Sequence, residues 1–363
     1  MKKTILLLIG VFLLVGCSSN GSDNTIKDFK NSIKKSNSYE IKGTMELRSD
    51  EETFDYNINV KYLKENYYMV EMINQTNDYK QIILKNDEGL YVITPSLNKS
   101  FKFESNWPDN SSQAYILSSL IKDIEKDMET TVTNNKNGYV IKTKVNYPNN
   151  NDLKYQKIYL NKNNKLEKVE VFGESDIAKI IVNFKEIDLK TNNKEKDFEL
   201  KKFIDIENNQ EEKNEDVVNN TQEKDKQELT NQEQCDNKTC ESKTTSGQIT
   251  EAIYPLYTPS NTYLTGSEVI NTENDNRIIL TFSGDKNYVL VEEAAMKALE
   301  HEIIPVYGEP IMLNDSIAAL STNSMYWTNN NVDYYIESDD LTVSEMVFIA
   351  TSLGNTTATM ATK

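Results

Sequence analysis

Apolar and polar residues alternate with great regularity in the first half of the chain. Between positions 39 and 48, one set of alternate side chains is apolar or small: Tyr39, Ile41, Gly43, Met45 and Leu47. The same spacing returns in a second run: Phe54, Tyr56, Ile58 and Val60. A strict period of two gives a strand one apolar face and one wet face. Because only short turns separate such runs, we expect the strands to pair in antiparallel order.

More strands and two helices are predicted in the same half. Runs typical of strands lie at 67–73, 79–85, 90–94, 139–147, 155–160, 166–172 and 180–189. A first helix is predicted from a capping-box-like start at Thr25 and Asp28, with Ile26, Phe29 and Ile33 on one face. A second is predicted over 113–128, with an apolar stripe of Leu117, Leu120, Ile121, Ile124 and Met128.

A long meander with a single apolar face must shelter that face. Two helices cannot cover about ten flat strands, so the pattern predicts a strongly curved antiparallel half-barrel with a helical lid in an α+β protein. Whatever the lid leaves open would be an apolar groove, and a filled interior is the alternative. The candidate lining residues are Tyr39, Ile41, Met45, Leu47, Phe54, Tyr56, Ile58, Val60, Leu117, Leu120, Ile121 and Ile124.

A polar stretch divides the chain. Residues 206–250 are almost free of large apolar side chains, and acidic residues outnumber basic ones by about two to one there. Such a stretch buries too little apolar surface to offset its ordering entropy, so we predict an acidic disordered linker. It separates a half-barrel domain at 25–205 from a smaller domain at 251–363.

The second domain is predicted to be a small α+β unit. Turn residues at 283–287 and 328–331 indicate two hairpins, whose strands lie at 277–282, 288–291, 325–327 and 332–336. Residues 292–300 predict a short helix. A capping box at Thr342 and Glu345 starts a last helix, which Gly354 should stop.

The N-terminus predicts export and lipidation. Lys2 and Lys3 precede an apolar run at 5–15, which is too short for the roughly 20 residues of a membrane-spanning helix. We therefore predict a signal peptide at 1–16. The residues Leu14-Val15-Gly16-Cys17 resemble the bacterial lipobox, which implies acyl chains such as palmitate on Cys17, a lipidated tether at 17–24 and a place on the extracytoplasmic face of the cell membrane.

Composition narrows the chemistry. The formal net charge of −17 argues against nucleic acid and against additional adsorption to anionic lipid. The chain has one histidine, His301, which we expect at a solvated helix end, and it lacks a G-x-S-x-G motif. We expect four acidic pairs to be solvated surface: Glu51-Glu52, Glu211-Glu212, Glu292-Glu293 and Asp339-Asp340. We therefore predict a binding protein, with no cofactor and no metal, rather than an enzyme.

Cys235 and Cys240 remain after Cys17. Two thiols this close could form a small disulfide loop outside the cytoplasm, or they could stay free. A zinc site would need two further ligands, which no nearby Cys or His supplies.

The stretch from Thr94 to Phe103, followed by Trp107-Pro108 and Ser111-Ser112-Gln113, resembles a signature of clostridial LolA-like lipoproteins, including the germination lipoprotein family GerS. That resemblance covers roughly residues 25 to 200 and implies the same half-barrel. The pattern of Trp327, Tyr334 and 341–353 resembles a domain of bacterial sporulation and anti-sigma-type lipoproteins.

The resemblance implies a membrane-anchored protein that binds a lipid, a lipoprotein or an envelope protein, in sporulation or germination. The alternative is a sensor similar to RseB, which regulates an anti-sigma or signalling membrane protein.

Overall fold

Two β-sheets organise the part of the chain that the computed structural model describes, which is residues 19–49, 52–64, 66–204, 249, 251–271 and 276–353. The larger sheet has 12 strands and the smaller has seven. The first module, which precedes the predicted linker, packs two helices on one face of the larger sheet and a single helical turn on the other face. The second module, which follows the predicted linker, contributes one helix. The α+β class and the antiparallel sheet with a helical cover are confirmed.

The first module supplies 11 strands of the larger sheet. They are β1 (Ser38–Arg48), β2 (Thr53–Leu63), β3 (Tyr67–Asn74), β4 (Lys80–Asn86), β5 (Gly89–Thr94), β6 (Lys99–Phe103), β7 (Thr131–Asn135), β8 (Gly138–Lys144), β9 (Tyr155–Asn161), β10 (Leu166–Phe172) and β11 (Ala178–Asp188). The spatial order is β6-β5-β4-β3-β2-β1-β11-β10-β9-β8-β7. The helices are α1 (Ser19–Lys34), α2 (Leu117–Lys126) and the single turn α3 (Lys201–Ile204).

The register between β1 and β2 confirms the alternation read from the sequence. Ile41 lies opposite Val60, Gly43 opposite Ile58, and Met45 opposite Tyr56. These pairs share one face, which the helices cover, while Lys42 and Asn59 face outward. A one-residue slip would expose the whole apolar set, so burial of this face fixes the register.

Helix α2 lies across the apolar face of the large sheet. The Ser118 and Tyr68 hydroxyls are 3.2 Å apart, which ties the start of α2 to β3. Five residues later, Asp123 accepts a hydrogen bond from Gln156 on β9. β3 and β9 are five strand spacings apart, about 24 Å in a flat sheet, whereas five helical residues span about 7.5 Å. These contacts indicate that the sheet bends around the helix.

The outer face of β3 to β5 carries a second, smaller apolar cluster. Tyr67, Met69 and Leu84 lie there, and the chain returns after β11 to cover them with Phe198 and the α3 turn. Phe198 is completely buried. The face that the alternation would leave wet is therefore sheltered in this part of the sheet.

The second module forms the smaller sheet and one helix. Its strands are β12 (Thr262–Asn271), β13 (Asn276–Gly284), β14 (Tyr288–Ala294), β15 (Glu302–Val306), β16 (Gly308–Met312), β17 (Ile317–Ser321), β18 (Ser324–Asn329) and β19 (Val332–Glu337), followed by α4 (Val343–Thr351). The order is β12-β13-β14-β19-β18-β17-β16, and β15 joins the larger sheet instead. Trp327 stacks on Tyr334 in the core, with ring centroids 5.1 Å apart.

Both predicted hairpins and the last helix are confirmed. β13 pairs with β14, and β18 pairs with β19 through a turn whose residues Asn330 and Asn331 have positive φ. Thr342 and Glu345 make the reciprocal capping box at the start of α4. Gly354 lies outside the described residues.

The helix predicted over 292–300 is wrong. Glu292, Glu293 and Ala294 continue strand β14, where Glu293 lies opposite Asp333 on β19. Glu, Ala, Met and Leu favour a helix when packing does not decide. Here an available partner strand outweighs that preference, because Leu290, Glu292 and Ala294 keep the inward alternation of β14.

The two predicted helices of the first module differ in their ends. α1 begins at Ser19, so Thr25 and Asp28 lie inside it and do not cap it. Once packing of Phe29 and Ile33 has nucleated the helix, extending it backward is inexpensive. α2 stops at Lys126, and Met128 is 97 % exposed instead of part of the apolar stripe.

The sequence interpretation missed six strands: β6, β7, β12, β15, β16 and β17. Ile249, assigned to the linker, is buried against the second module and bonds to Asn276. The predicted signal peptide and almost all of the predicted linker lie outside the described residues.

Candidate functional site

The candidate groove residues lie together in one packed apolar core. Ten of the twelve are buried, and Leu47 and Phe54 are half-buried. Those on β1 and β2 contact the same cluster as the stripe of α2. Of the two alternatives, this arrangement is that of a filled interior. An acyl chain between the sheet and the lid therefore stays a prediction.

A buried carboxyl group locks the lid to the sheet. Asp123 on α2 accepts hydrogen bonds from the Ser112 hydroxyl at 2.9 Å and from the Gln156 amide at 2.8 Å. Burial raises the pKa of Asp123 to about 6, although both hydrogen bonds act in the opposite direction. The side-chain carbonyl oxygen of Gln156 is buried without a hydrogen-bond partner. Ser112 belongs to the family-like motif, so part of that motif fastens the lid.

The first part of the motif forms the edge at which the two modules join. Residues 99–103 are strand β6, and β15 of the second module pairs with β6 in parallel. Ile304 lies opposite Phe101, and Val306 lies opposite Phe103. Val306, Ile317 and Tyr326 pack into the core of the first module, where the Tyr326 ring lies 4.8 Å from that of Phe101. The junction is therefore a continuation of both a sheet and a core.

Polar side chains add directed contacts across this junction. The Gln81 side chain accepts from the backbone N–H of Ile317 at 2.6 Å and donates to the carbonyl of the same residue at 3.4 Å. Lys99 forms an ion pair with Asp333 at 3.0 Å, and both side chains are largely buried. The Tyr56 hydroxyl donates to the Asn314 carbonyl at 2.9 Å. Buried partners of this kind leave costly unpaired groups if the modules separate.

His301 also belongs to the junction, and its predicted place at a solvated helix end is wrong. No helix forms at 292–300, and His301 instead lies directly before strand β15. Its Nε2 lies 2.9 Å from the Ser100 hydroxyl, and its Nδ1 lies 3.3 Å from the Asn98 side-chain oxygen. The order Ser-His-Asn resembles a catalytic triad. Ser100 is 0 % exposed, so the hydroxyl cannot reach a substrate, and the three groups fasten β15 to β6.

A cleft of about 380 Å³ opens beside the junction. Its walls come from the start of β2, the β3–β4 turn, the segment before β17, the β18–β19 turn and the end of α4. Most of the lining side chains carry amide, hydroxyl or carboxylate groups: Glu52, Thr53, Asn74, Thr76, Asn77, Asn314, Asp315, Asn329, Asn330 and Thr351. These groups suit a polar or cationic ligand group.

Asp315 gives the cleft a charge that depends on pH. Burial raises the pKa of its carboxyl to about 6, and the nearby Glu52 carboxylate acts in the same direction. A hydrogen bond from the backbone N–H of Asp315 opposes that shift. The cleft is thus more negative above pH 6 than below it. Neither Asp315 nor Asn314 was singled out from the sequence, because their position depends on contact between the modules.

One of the four acidic pairs does not fit the solvated-surface expectation. Glu292 is completely buried, accepts a hydrogen bond from the Ile253 N–H, and has a pKa raised by burial to about 7. Its neighbour Glu293 is exposed and pairs with Arg277. Glu52, Asp339 and Asp340 are exposed. Glu51, Glu211 and Glu212 lie outside the described residues.

The predicted lipidation site and thiol pair cannot be placed in this geometry, since Cys17, Cys235 and Cys240 all lie outside the described residues. Within the described part of the chain, no group of three His, Cys, Asp or Glu side chains could hold a metal ion. Among the described helices, none is long and apolar enough to cross a bilayer.

These features define a two-module α+β protein. A helical lid covers one face of its large sheet, and one edge of that sheet is joined to the second module. No protein-family model matches the chain. The chain is 33 % identical over 356 residues to the "Sporulation protein YdcC" of Bacillus subtilis (strain 168), and the aligned region covers 97 % of each chain. The chain belongs to the family of that protein.

Solved structures show more distant likenesses. MucB matches with a TM-score of 0.31 and 10 % identity, over 93 % of this chain and 98 % of that one. A chain of the Clostridioides difficile CwlD amidase in complex with the GerS lipoprotein matches with a TM-score of 0.28 and 21 % identity, over 45 % and 93 %. The LolA superfamily protein NE2245 from Nitrosomonas europaea matches with a TM-score of 0.28 and 12 % identity, over 50 % and 99 %. TM-scores this low support no conclusion about function.

The lid network predicts that Asp123→Asn stabilises the protein at neutral pH. Because the folded-state pKa is about 6 and the ordinary value is 3.8, ionisation of Asp123 opposes folding, and this cost grows as pH rises to 6. Asparagine removes the cost, and a flipped Gln156 amide can accept from it. We expect a gain of about 1–3 kcal/mol at pH 7.5 that disappears near pH 4.

Urea unfolding at both pH values measures this effect, with the exposed Asp152→Asn as the matched control. A loss of stability at pH 7.5 in Asp123→Asn would show that the network needs the ionised carboxylate.

The junction predicts that the modules stay together without a covalent link. A protease site introduced between residues 205 and 248 should yield two fragments that co-elute in gel filtration after cleavage, because the shared core and sheet hold them. Ile304→Asp should separate the cleaved fragments, since it places a charge opposite Phe101. The exposed Glu302→Asp on the same strand is the control. Fragments that separate without any substitution would contradict the continuous junction.

Proposed function

We propose that this chain is an exported, lipid-anchored and non-enzymatic protein that binds a protein partner at the outer face of the cytoplasmic membrane during sporulation. Membership in the family of a sporulation protein supports the setting. The lipobox-like Leu14-Val15-Gly16-Cys17 supports the anchor. The observation that carries the binding role is the polar cleft at the fused junction.

Charge indicates what kind of partner segment the cleft fits. Residues 251–353 contain three Lys and Arg but 16 Asp and Glu, so the second module is strongly acidic. The cleft adds Glu52 and Asp315 to this field, and its amides supply hydrogen bonds. A basic, polar peptide segment complements such a surface, and the negative field raises the rate of its encounter.

The positions of the reactive groups support a non-enzymatic role. The Ser100 and His301 pair is sealed in the junction. The buried carboxyl groups of Asp123, Glu292 and Asp315 belong to three separate polar environments: the lid, the second module and the cleft. General acid–base catalysis needs such a group within hydrogen-bond reach of a proton on the substrate. Each of these carboxyl groups instead stands at a structural or binding position.

The partner site is tested by cross-linking in sporulating cells. Asp315→Lys should lower the yield of the specific cross-linked partner at least about 10-fold, because it reverses the charge of the cleft. The control is Glu268→Lys, an equal charge change at an exposed position on β12. For the purified pair, affinity should fall between pH 7 and pH 5 as Asp315 gains a proton. Equal yields for the two variants would reject the cleft as the partner site.

The same experiment in vegetative cells decides the setting. Capture of an anti-sigma or signalling membrane protein irrespective of growth stage would favour the sensor role over the sporulation role.

The anchor is tested by Cys17→Ser. We expect the wild-type protein to partition into detergent with a mass increased by acyl chains, and the variant to lose both the mass increase and the detergent partitioning. Ser18→Ala, next to the modified residue, is the control. A wild-type N-terminus without acyl chains would overturn the anchor.

A further inference from the structure

The outer face of β8, β9 and β10 is basic in an acidic protein. Residues 136–185 contain ten lysines and five acidic residues, whereas the whole chain has a net charge of −17. Lys142, Lys157 and Lys168 project from three adjacent strands on the side away from the lid, and we call them the lysine face. The acidic charge is concentrated in the other module.

Aromatic rings support the lysine face from below. The Lys142 Nζ lies 4.0 Å from the Tyr155 ring centroid, the Lys157 Nζ 4.4 Å from that of Phe172, and the Lys168 Nζ 4.3 Å from that of Tyr159. Tyr155 and Phe172 stack with centroids 4.9 Å apart. Contacts of this kind hold long ammonium side chains over the sheet and reduce the entropy lost on binding.

In the described part of the chain, two of the three ammonium groups form no ion pair at contact distance, although Lys157 lies opposite Glu170 and its charge helps to lower the pKa of that carboxyl. Lys168 pairs with Glu170 at 2.7 Å. Within the described residues, no Asp or Glu lies within ion-pair distance of Lys142 or Lys157. Their neighbours Lys144 and Lys154 are paired, with Glu129 and Glu174. With three lysines around the single carboxylate of Glu170, the lysine face keeps a net positive charge for an outside anion.

We propose that the lysine face lies against an anionic phospholipid bilayer. Three adjacent strands about 4.8 Å apart present their lysines side by side, which matches a surface of many phosphates better than a single small anion. Lysine and tyrosine side chains suit the headgroup level of a membrane. A surface potential acts over a Debye length of about 10 Å, so a local basic face can bind although the whole chain is acidic. The acidic net charge argues against additional adsorption of the whole chain to anionic lipid, and the proposal is that this face is a local exception.

The rest of the molecule fits this orientation. The edge strand beside β8 is β7, and α1 packs against it. The chain preceding α1 leads to Cys17, so the lysine face lies at the end of the sheet nearest the anchor; this step alone rests on the proposed function. The second module joins the opposite end of the sheet through β6. Its excess of acidic residues would be repelled by the same lipids, which leaves the cleft directed away from the bilayer.

Vesicle sedimentation tests the proposal without the acyl anchor. The chain from Ser18 onward keeps every described residue and is mixed with phosphatidylcholine vesicles that either contain or lack phosphatidylglycerol. We expect binding only to the anionic vesicles, with an affinity that falls as salt rises. Lys142→Gln with Lys157→Gln should lower that affinity by about 25-fold, at roughly fivefold for each lysine. Lys142→Arg with Lys157→Arg should keep the affinity for anionic vesicles near that of the wild-type chain.

The matched control is Lys42→Gln with Lys61→Gln, on β1 and β2 of the same outer face and close to Glu186 and Glu40. Equal losses in the two double variants, or no preference for phosphatidylglycerol, would overturn the proposal. The proposal would also be overturned if Lys142→Gln with Lys157→Gln changed the oligomeric state but not vesicle binding. That result would show that the lysine face contacts an acidic protein surface. Since acyl chains are absent, the result does not depend on Cys17.

Discussion

The single apolar face of the long antiparallel sheet is the constraint on which the remaining structure depends. Tyr39, Ile41 and Val60 are almost completely buried, yet they lie on strands whose other side is wet. Helix α2 covers the middle of that face. Its far end, at β5 and β6, is completed by Ile317 and Tyr326 of the second module. The lid, the bend of the sheet and the docking of the second module all serve to bury the same apolar face.

Polar groups then give this burial a specific geometry. Apolar contact alone would allow the modules to slide, whereas Gln81 bonds to both backbone groups of Ile317 and so fixes one register. The Ser100, His301 and Asn98 contacts do the same for β15. Asp123 performs this task for the lid, where its burial is unfavourable for the ionised form. Buried polar groups here contribute specificity more than stability.

The distribution of charge separates two surfaces of the chain. Lysines collect on one end of the large sheet, while the second module carries an excess of carboxylates. The junction cleft belongs to the acidic side. A protein that rests on a membrane by its basic end would present that cleft to a partner, as the proposed function requires.

Local pattern by itself determined much of this architecture. The alternation at 39–62 determined which side chains of β1 and β2 face inward, since the face of a strand is a property of neighbouring residues. The turn at Asn330 and Asn331 and the capping box at Thr342 and Glu345 were equally local. The apolar stripe from Leu117 to Ile124 likewise identified the lid.

Only the tertiary structure decided the junction. β6 and β15 are five residues each, and their pairing joins segments about two hundred positions apart, so neither strand has a distinctive pattern of its own. Glu292 favours a helix until β19 offers a partner strand, and His301 acquires its role only because that helix does not form. Asp315 is an ordinary surface residue in sequence terms and becomes half-buried where the two modules meet. The sequence pattern indicates which side chains must be buried, but the surface that buries them depends on the fold of the whole chain.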